Sequence, residues 1–382
     1  MSHIDPNGRR SSPGYYLRDT VREGKYAITL SLNTLATKII FDKNGKKPKA
    51  IGIEYLQGKS LYSADPRYNA SDKGIPGKAY ASKEIIVSGG AFNTPQLLLL
   101  SGIGPAAHLK KFSIPVVVDS PGVGQSVAVS QVPSHTICPR VPICTNQSIM
   151  LQLNTASVFS NISSIQDNYE AGILTLGFRA VTGHSEIFPA FWKTSKAIIR
   201  DIYMWCGGFS FEGFWPGFPN IPPTFTETHG PNQYECALVH MNPRSQAGVI
   251  ELRSTDPRDV PTINLNFFKT GADQDLSAIL EGIDWVRSWL SRVPATTNSL
   301  APFTELHPCG GVIGKQNCTE QSQKTYLKEQ AYSHHATSSA RIGADGDRLA
   351  VLDSKFRVRG VTGLRVVGNY IPPKYCMVII EP

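Results

Sequence analysis

The stretch from Lys83 to Gly104 constrains the possible fold most strongly. A short apolar run, KEIIVS, leads into two glycines and then into TPQLLLLSGIG, where four consecutive leucines precede another glycine. The paired glycines allow a sharp turn, Thr94 and Pro95 suit the start of a helix, and Gly102 suits its end. A strand, a tight glycine turn and a buried helix are typical of a nucleotide-binding α/β layer. The sequence therefore predicts such a layer here.

The flanking segments show two other periodicities. Residues Lys25–Tyr55 alternate between apolar and polar positions in the runs YAITLSL, ATKIIFD and KAIGIEYL, which predicts a β-meander with a hairpin at Asn44-Gly45. Regularity is lost from about residue 129 to residue 230, which favours a second domain. Residues 273–290 place apolar side chains at helical spacing and predict an amphipathic helix. The final segment alternates again, so we expect strands that return to a sheet.

Length, charge and hydropathy exclude several classes of protein. A chain of 382 residues predicts two domains, or one large domain with an insertion. Lys and Arg number 38 against 30 Asp and Glu, but the basic residues are spread along the chain, with only short clusters such as Lys43–Lys49. Nucleic-acid binding needs a basic stripe, so no nucleic-acid partner is predicted. No apolar run reaches the ~18 residues that span a bilayer. No oligomeric state is predicted.

The sequons suit a secreted protein, and the cysteines are too few for a disulfide scaffold but allow one or two bridges. Seven cysteines occur without paired C-x-x-C spacing, so we expect no metal site, and Cys309 and Cys318 close a short polar loop that can carry a disulfide. The N-terminal residues contain no apolar core of a signal peptide, so the sequence start and the secreted character disagree. Glycosylation sequons occur at Asn69, Asn146, Asn161 and Asn317.

Two segments compete for a chemical role. Gly102–Ala107 matches the dinucleotide fingerprint G-x-G-x-x-G/A in letters, but a leucine-rich helix precedes it where the fingerprint needs a strand. We interpret it as a helix end, and no other such motif follows a strand in the sequence. His334 and His335 are adjacent, so their side chains point in different directions and at most one is catalytic. From spacing alone, a structural role for both is the commoner outcome.

Residues 90–104, GAFNTPQLLLLSGIG, fit the second signature of the glucose–methanol–choline (GMC) flavin oxidoreductases at every constrained position. The chain resembles this family over most of its length. The stretch from Cys309 to Ile342 resembles the fungal secreted members most, including members of secondary-metabolite pathways. Further similarity lies in NTLATKIIFD, IPVVVDSPGVGQ, NPRSQAGVIELRSTDPRDVPTINLNFF and SHHATSSARIGADGDRLAVLDSKFRVRGVTGLRVV.

The resemblance implies an α/β plus α+β fold. One part is an incomplete Rossmann-like FAD-binding domain, residues 1–128 and 341–382, and the other is a substrate-binding domain, residues 129–340, with an antiparallel sheet flanked by helices. It also implies FAD as cofactor, a small-molecule alcohol as substrate and secretion of the full-length protein. Hydride would pass from the carbinol carbon to flavin N5 while a histidine takes the hydroxyl proton. By register against the family's H-x-x-G-T, that histidine is His335, with His334 as the alternative.

The same resemblance implies cofactor contacts. The backbone position that holds the adenine falls on Ala36, and the Gly90 turn supplies a wall of the site. The family pattern D-A-S, beside the flavin ribityl chain and pyrophosphate, falls on the tripeptide that begins Gly368-Asn369, so its Asp is replaced by Gly368.

Other departures are larger. The family's first βαβ unit with its G-x-G-x-x-G loop, ~30 residues or more, has no counterpart, and GVGQNLQDH reads GVGQSVAVS, with changes at Ser126, Val129 and Ser130. We therefore expect a chain truncated at both ends that binds no stoichiometric FAD alone and exposes an apolar sheet edge. A non-catalytic pseudoenzyme or a decayed fragment of a GMC oxidoreductase is the alternative hypothesis.

Overall fold

The computed structural model describes residues 12–127, 147–154, 186–198, 200–207, 233–241, 243–292, 304–313, 315, 317–331 and 336–368. The helices are α1 (Pro13–Glu23), α2 (Gly90–Leu100), α3 (Ala106–Lys111), α4 (Ala272–Leu290) and α5 (Glu320–Gln330). The strands are β1 (Thr34–Asp42), β2 (Lys49–Gln57), β3 (Ile75–Tyr80), β4 (Ile85–Val87), β5 (Ile103–Gly104), β6 (Val118–Asp119), β7 (Gln147–Asn154), β8 (Glu186–Trp192), β9 (Ile202–Gly207), β10 (Gln233–His240), β11 (Val249–Glu251), β12 (Thr262–Asn264), β13 (Thr304–His307), β14 (Gly311–Val312) and β15 (Leu364–Val366).

A parallel strand pair and helix α2 form the centre of the first part of the molecule. Strand β4 pairs with β15 in parallel, with Ile85 opposite Leu364 and Val87 opposite Val366. The leucines of α2 pack beside this pair in one apolar cluster that also includes β1, β5 and Val351. The strand, glycine turn and buried helix predicted from residues 83–104 are therefore confirmed.

The start of α2 differs from the prediction in one respect. The helix begins at Gly90, so Thr94 and Pro95 lie inside it. Thr94 Oγ1 accepts a hydrogen bond from the Gly89 N–H at 3.0 Å. Thr94 therefore fixes the glycine turn and does not cap the helix, because the glycines themselves already provide the change of direction.

Only part of the predicted meander forms. Strands β1 and β2 pair antiparallel around the Asn44-Gly45 turn, and β3 adds to β2. The first run, YAITLSL, is not a strand, and its alternating apolar residues are exposed. Without a partner strand its backbone gains no ladder hydrogen bonds, so alternation alone does not make it a strand. The exposed side chains include Tyr26 (66%), Leu30 (44%) and Leu32 (71%).

The second part of the molecule contains a six-stranded antiparallel sheet, in the order β14-β13-β7-β10-β9-β8. Helix α4 packs against it, and the predicted amphipathic pattern is confirmed because the apolar face of α4 is buried. The buried residues of that face include Leu276, Ile279, Leu280, Ile283 and Val286. An antiparallel sheet flanked by helices is the architecture that the resemblance implied.

A disulfide joins Cys309 and Cys318, as the loop spacing allowed. Next to it, Arg287 of α4 donates to both carboxylate oxygens of Glu305, at 2.8 and 2.7 Å, and to Cys309 Sγ at 3.2 Å. Glu305 Oε1 also accepts from the Cys309 N–H at 3.0 Å. These bonds connect α4 to the β13–β14 hairpin.

The segment around β11 connects the two parts, since just before it the Arg244 N–H donates to Asp275 Oδ2 of α4 at 2.9 Å. Val127 donates to the Gly248 carbonyl at 2.9 Å, and Ile250 donates to the Gly124 carbonyl at 2.7 Å. Leu252 packs in the same apolar cluster as α2, and its N–H donates to His108 Nε2 at 3.1 Å. The domain boundaries at 128, 129, 340 and 341 stay predictions. Within the described residues, no helix combines the length and apolarity needed to cross a membrane.

Candidate cofactor-binding site

The carboxyl ends of β4 and β15 lie side by side and form the candidate site. The Val367 N–H donates to the Val87 carbonyl at 3.0 Å, which extends the pairing one residue beyond the strands. Gly90 follows β4 and Gly368 follows β15. Ligands of parallel α/β sheets bind outside the carboxyl ends of the strands. The structure therefore brings Gly90 and Gly368, which lie far apart in the sequence, to one edge.

Gly90 makes this edge accessible. Its φ is 82°, in the left-handed region that glycine adopts without strain. A methyl group placed on its Cα would meet no atom of the described residues within 4 Å, so open space adjoins the turn in this part of the structure. Within the described part of the chain no side chain caps the N-terminus of α2, which leaves first-turn N–H groups with partial positive charge at this edge.

A buried glutamine holds α2 in place. Gln96 Oε1 accepts from the Tyr62 hydroxyl at 2.9 Å, and Gln96 Nε2 donates to the Asp259 carbonyl at 2.6 Å. Burial raises the pKa of Tyr62 above its usual value, so its hydroxyl stays protonated and able to donate at neutral pH. At the C-terminal end of the helix, Ser101 Oγ accepts from the Ile39 N–H at 2.8 Å. The helix that begins at Gly90 is therefore anchored at its middle and at its C-terminal end.

Ala36 lies on β1, apart from the edge that carries Gly90 and Gly368, which we call the glycine edge. Its side chain is exposed, its backbone lies opposite Tyr55, and the register shifts immediately after it. Beside it is a cavity of about 460 Å³, whose lining includes Thr37, Tyr55 and Pro76. The hydrogen bonds of the described residues link Ala36 to neither Gly90 nor Gly368. Its backbone is open to a ligand, and its role at the adenine stays a prediction.

His334, His335 and Asn369 lie outside the described residues. The segment that follows the histidines is described: Thr337, Ser338 and Ser339 are buried, and the Ser339 carbonyl accepts from the Gly124 N–H at 2.9 Å. Ser338 has a φ of 65°. The left-handed conformation of Ser338 was not predicted from the sequence. The H-x-x-G-T register could have predicted it, because it puts a glycine at position 338.

The implied FAD fits this edge in part. A backbone without bulky side chains at Gly90 and Gly368, helix N–H groups with partial positive charge and the open backbone of Ala36 suit a dinucleotide. Gly368 contributes no carboxylate where the family has Asp, and the sequence contains no G-x-G-x-x-G loop after a strand. The described residues contain no group of three or more side chains able to hold a metal ion.

The chain matches two family models, both described as GMC oxidoreductase. The N-terminal model matches residues 2–132 and the C-terminal model matches residues 243–375, which together make up more than half of the chain.

Several curated proteins are similar over nearly the whole chain. Human mitochondrial choline dehydrogenase is 29% identical over 89% of this chain and 49% of its own length. An oxygen-dependent choline dehydrogenase of Pseudomonas fluorescens is 30% identical over 97% of this chain and 56% of its own length. A glucose methanol choline oxidoreductase of Aspergillus terreus is 29% identical over 97% and 55%. This chain thus spans about half the length of the curated relatives it matches.

Solved structures share the fold. A formate oxidase of Aspergillus oryzae, in a study of FAD modification, superposes with a TM-score of 0.63 at 20% identity, over 91% of this chain and 57% of the other. A pyridoxine 4-oxidase superposes with a TM-score of 0.61 at 16% identity, over 96% and 58%. The sequence matches and the shared fold agree with the resemblance inferred from residues 90–104, and the chain belongs to the GMC oxidoreductase family, whose cofactor is FAD.

Proposed function

We propose that this chain forms part of an FAD-dependent oxidoreductase that oxidises a small-molecule alcohol. The observation that carries the proposal is the meeting of Gly90 and Gly368 at the carboxyl ends of a parallel strand pair, with open space beside Gly90. Names of relatives and structural neighbours refer to choline, formate and pyridoxine, which supports a small substrate. The proposal names the substrate only by its chemical class, a small-molecule alcohol.

When bound, FAD accepts the hydride from the carbinol carbon of the substrate. The protein's residues bind and orient. The Gly90 turn lets the cofactor approach the backbone, the first-turn N–H groups of α2 favour its negative charge, and the Ala36 backbone contacts the adenine. His335 takes the hydroxyl proton as a neutral imidazole, a role for which histidine is suited near neutral pH.

Backbone conformation supports His335 over His334. In H-x-x-G-T the glycine lies three residues after the histidine, which is Ser338 if the histidine is His335 and Thr337 if it is His334. Ser338 has a left-handed φ of 65°, and Thr337 is not among the residues with positive φ. The position that favours glycine therefore agrees with the His335 register.

The cofactor site is tested by titrating FAD into the purified chain and following quenching of flavin fluorescence. We expect the chain to be purified without an equivalent of FAD, since the G-x-G-x-x-G loop is missing, and to bind added FAD weakly but saturably. Gly90→Ala should weaken this binding further, because its methyl group enters the open space beside the turn. Gly346→Ala is the matched control: Gly346 has a φ of 88° and equally open surroundings, so the backbone strain is the same. No saturable binding, or equal weakening by both variants, contradicts the proposal and favours the pseudoenzyme or decayed-fragment alternative.

The base is tested by anaerobic flavin reduction in FAD-saturated protein with a panel of alcohols that includes choline. His335→Ala should slow reduction by ~10²–10⁴-fold with unchanged flavin content. His334→Ala should have a much smaller effect. Equal losses in both variants would show a structural histidine pair, and loss in His334→Ala alone would move the base by one residue.

Secretion with glycosylation is a further part of the proposal. The Cys309–Cys318 disulfide supports it, since disulfides persist in oxidising compartments. Asn69 and Asn317, two of the four sequon asparagines, are exposed. A glycosidase-sensitive mass shift of the protein from its natural host would test this, and an unmodified mass would contradict it.

A further inference from the structure

A cavity of about 820 Å³ lies at the amino ends of β4 and β15, opposite the glycine edge described above. Its lining includes Lys83 and Glu84, immediately before β4, and the turn at 360–363, immediately before β15. Lys47 of the β1–β2 hairpin also lines it. Volumes of about 300–1,000 Å³ accommodate ligands of drug or nucleotide size.

The charges in this cavity do not balance. Five basic and three acidic side chains line it, which leaves a net charge of +2. Each acidic side chain pairs with one arginine at 2.7 Å, in the pairs Arg357–Asp353, Arg359–Asp345 and Arg365–Glu84. Lys47 and Lys83 pair with no carboxylate of the described residues. Two lysines therefore carry the uncompensated charge.

The backbone adds uncharged donors. Gly360 and Gly363 bound the turn with φ of 86° and 69°. Hydrogen bonds to the Pro48 carbonyl and from the Ala50 N–H fix Thr362 between them, each at 2.9 Å. The N–H groups of Gly360 and Gly363 have no hydrogen-bond acceptor among the described residues. A fixed glycine turn with unpaired N–H groups beside cations is a common arrangement for phosphate recognition.

We propose that this cavity binds a phosphate-bearing small molecule, with Lys47 and Lys83 as the charged contacts and the 360–363 turn as the backbone contact. Lys47 belongs to the short basic cluster Lys43–Lys49, which forms no stripe in the sequence. In the structure, Lys47 joins the other basic side chains that line this cavity. Asp345 limits the affinity of the cavity for phosphate, because its carboxylate neutralises Arg359. The side chain of Asp345 is itself 98% exposed. The inference does not depend on the proposed oxidoreductase activity.

The test is calorimetric titration of the purified chain with inorganic pyrophosphate at low salt. Lys83→Ala and Lys47→Ala should each weaken binding about tenfold, since each removes a charge-assisted hydrogen bond to the ligand. Lys269→Ala, at an exposed lysine outside the cavity, is the matched control and should bind as the unaltered chain does. Asp345→Asn should strengthen binding severalfold by releasing Arg359, a gain that a damaged fold would not produce.

Citrate serves as a non-phosphate anion in the same titration and should bind at least tenfold more weakly. Absence of pyrophosphate binding, or equal effects of Lys83→Ala and Lys269→Ala, would overturn the proposal. Equal affinity for citrate would overturn its phosphate selectivity. Gly90→Ala should leave pyrophosphate binding unchanged while Lys83→Ala weakens it, so failure of this proposal and failure of the cofactor site give different results.

Discussion

The two parts of the molecule accommodate buried polar groups in different ways. Around α2 the buried polar side chains include neutral groups such as Gln96 and Ser101, which hydrogen-bond to other elements. Around α4 they include ionisable groups: Glu305, His240 and Asp275 are each at most 1% exposed. The first part also buries Arg341, at 4% exposure, but its partner Asp347 is 30% exposed, whereas Glu305 and Asp275 bury the carboxylate itself. The second depends on charge, and therefore on pH.

Separate probes can follow the two parts. All five tryptophans lie between residues 192 and 289, so their fluorescence reports on the second part. Hydrogen exchange of peptides from α2 and from residues 336–368 reports on the first.

The largest effect is expected from Glu305→Gln. Removing one partner of a buried ion pair costs about 3–5 kcal/mol, and the charge of Arg287 would keep only the exposed carboxylate of Asp284 as its partner. The side chain of Arg287 is only 12% exposed, so tryptophan fluorescence during urea unfolding should show a loss of that size. Asp284→Asn is the control, since this carboxylate binds the same arginine but is 69% exposed, and its loss should cost under about 1 kcal/mol. Equal losses would remove the distinction between buried and exposed charge.

His240 should make the second part sensitive to acid. Burial, assisted by the charge of Arg244, lowers the pKa of His240 to about 3, whereas an unfolded histidine titrates near 6.5. Between these values the unfolded chain binds a proton that the folded chain does not. Stability should therefore fall as pH drops from about 6.5 towards 3, by at most about 1.4 kcal/mol per pH unit.

Two acidic side chains lie close to His240. Asp201 and Asp275 lie 3.9 and 4.0 Å from its ring nitrogens, and its Nδ1 has no hydrogen-bond partner among the residues that the structure describes. Burial raises the pKa of Asp275, so protonation of this carboxylate favours the folded state as pH falls, opposite to the effect of His240. This contribution is present both in the unaltered chain and in His240→Gln. His240→Gln should make the urea midpoint less dependent on pH between 7 and 4.5. An unchanged slope would show that this histidine does not control acid stability.

Gly102 tests the first part through the backbone. Its φ is 85°, and a Cβ there would collide with the Pro115 carbonyl oxygen. Gly102→Ala should cost about 1–3 kcal/mol, seen as faster hydrogen exchange in α2. Gly346→Ala has the same backbone strain without the collision, so it should cost less. Equal costs would show that strain alone matters at this turn.

The smallest expected effect is a gain in stability when Ser338 is replaced by glycine. A left-handed φ costs a residue with a Cβ about 1–2 kcal/mol, while glycine costs roughly 0.5–1 kcal/mol in lost chain entropy. Ser338→Gly should therefore raise the free energy of unfolding by about 0.5–1 kcal/mol. The control is Ala340→Gly, at a buried position without positive φ, which should destabilise the protein. A loss in Ser338→Gly would contradict the strain argument.

Local sequence signals determined much of the fold. The KEIIVS strand, the glycine turn, the end of α2 near Gly102 and the apolar face of α4 all follow from residues close together in the chain, and each is present. The family resemblance of residues 90–104 likewise came from contiguous residues. It gave FAD as cofactor and pointed to Gly90 and Gly368, because motif register is a property of sequence alone.

The tertiary structure decided what depends on partners distant in sequence. YAITLSL alternates as well as β1 does but is not a strand, because a strand needs a neighbour to satisfy its backbone. The burial of His240 between Asp201 and Asp275, and the convergence of Lys47 and Lys83 on one cavity, bring together residues from separate elements. Propensity and periodicity describe neighbours along the chain, whereas charge compensation and strand pairing depend on neighbours in space.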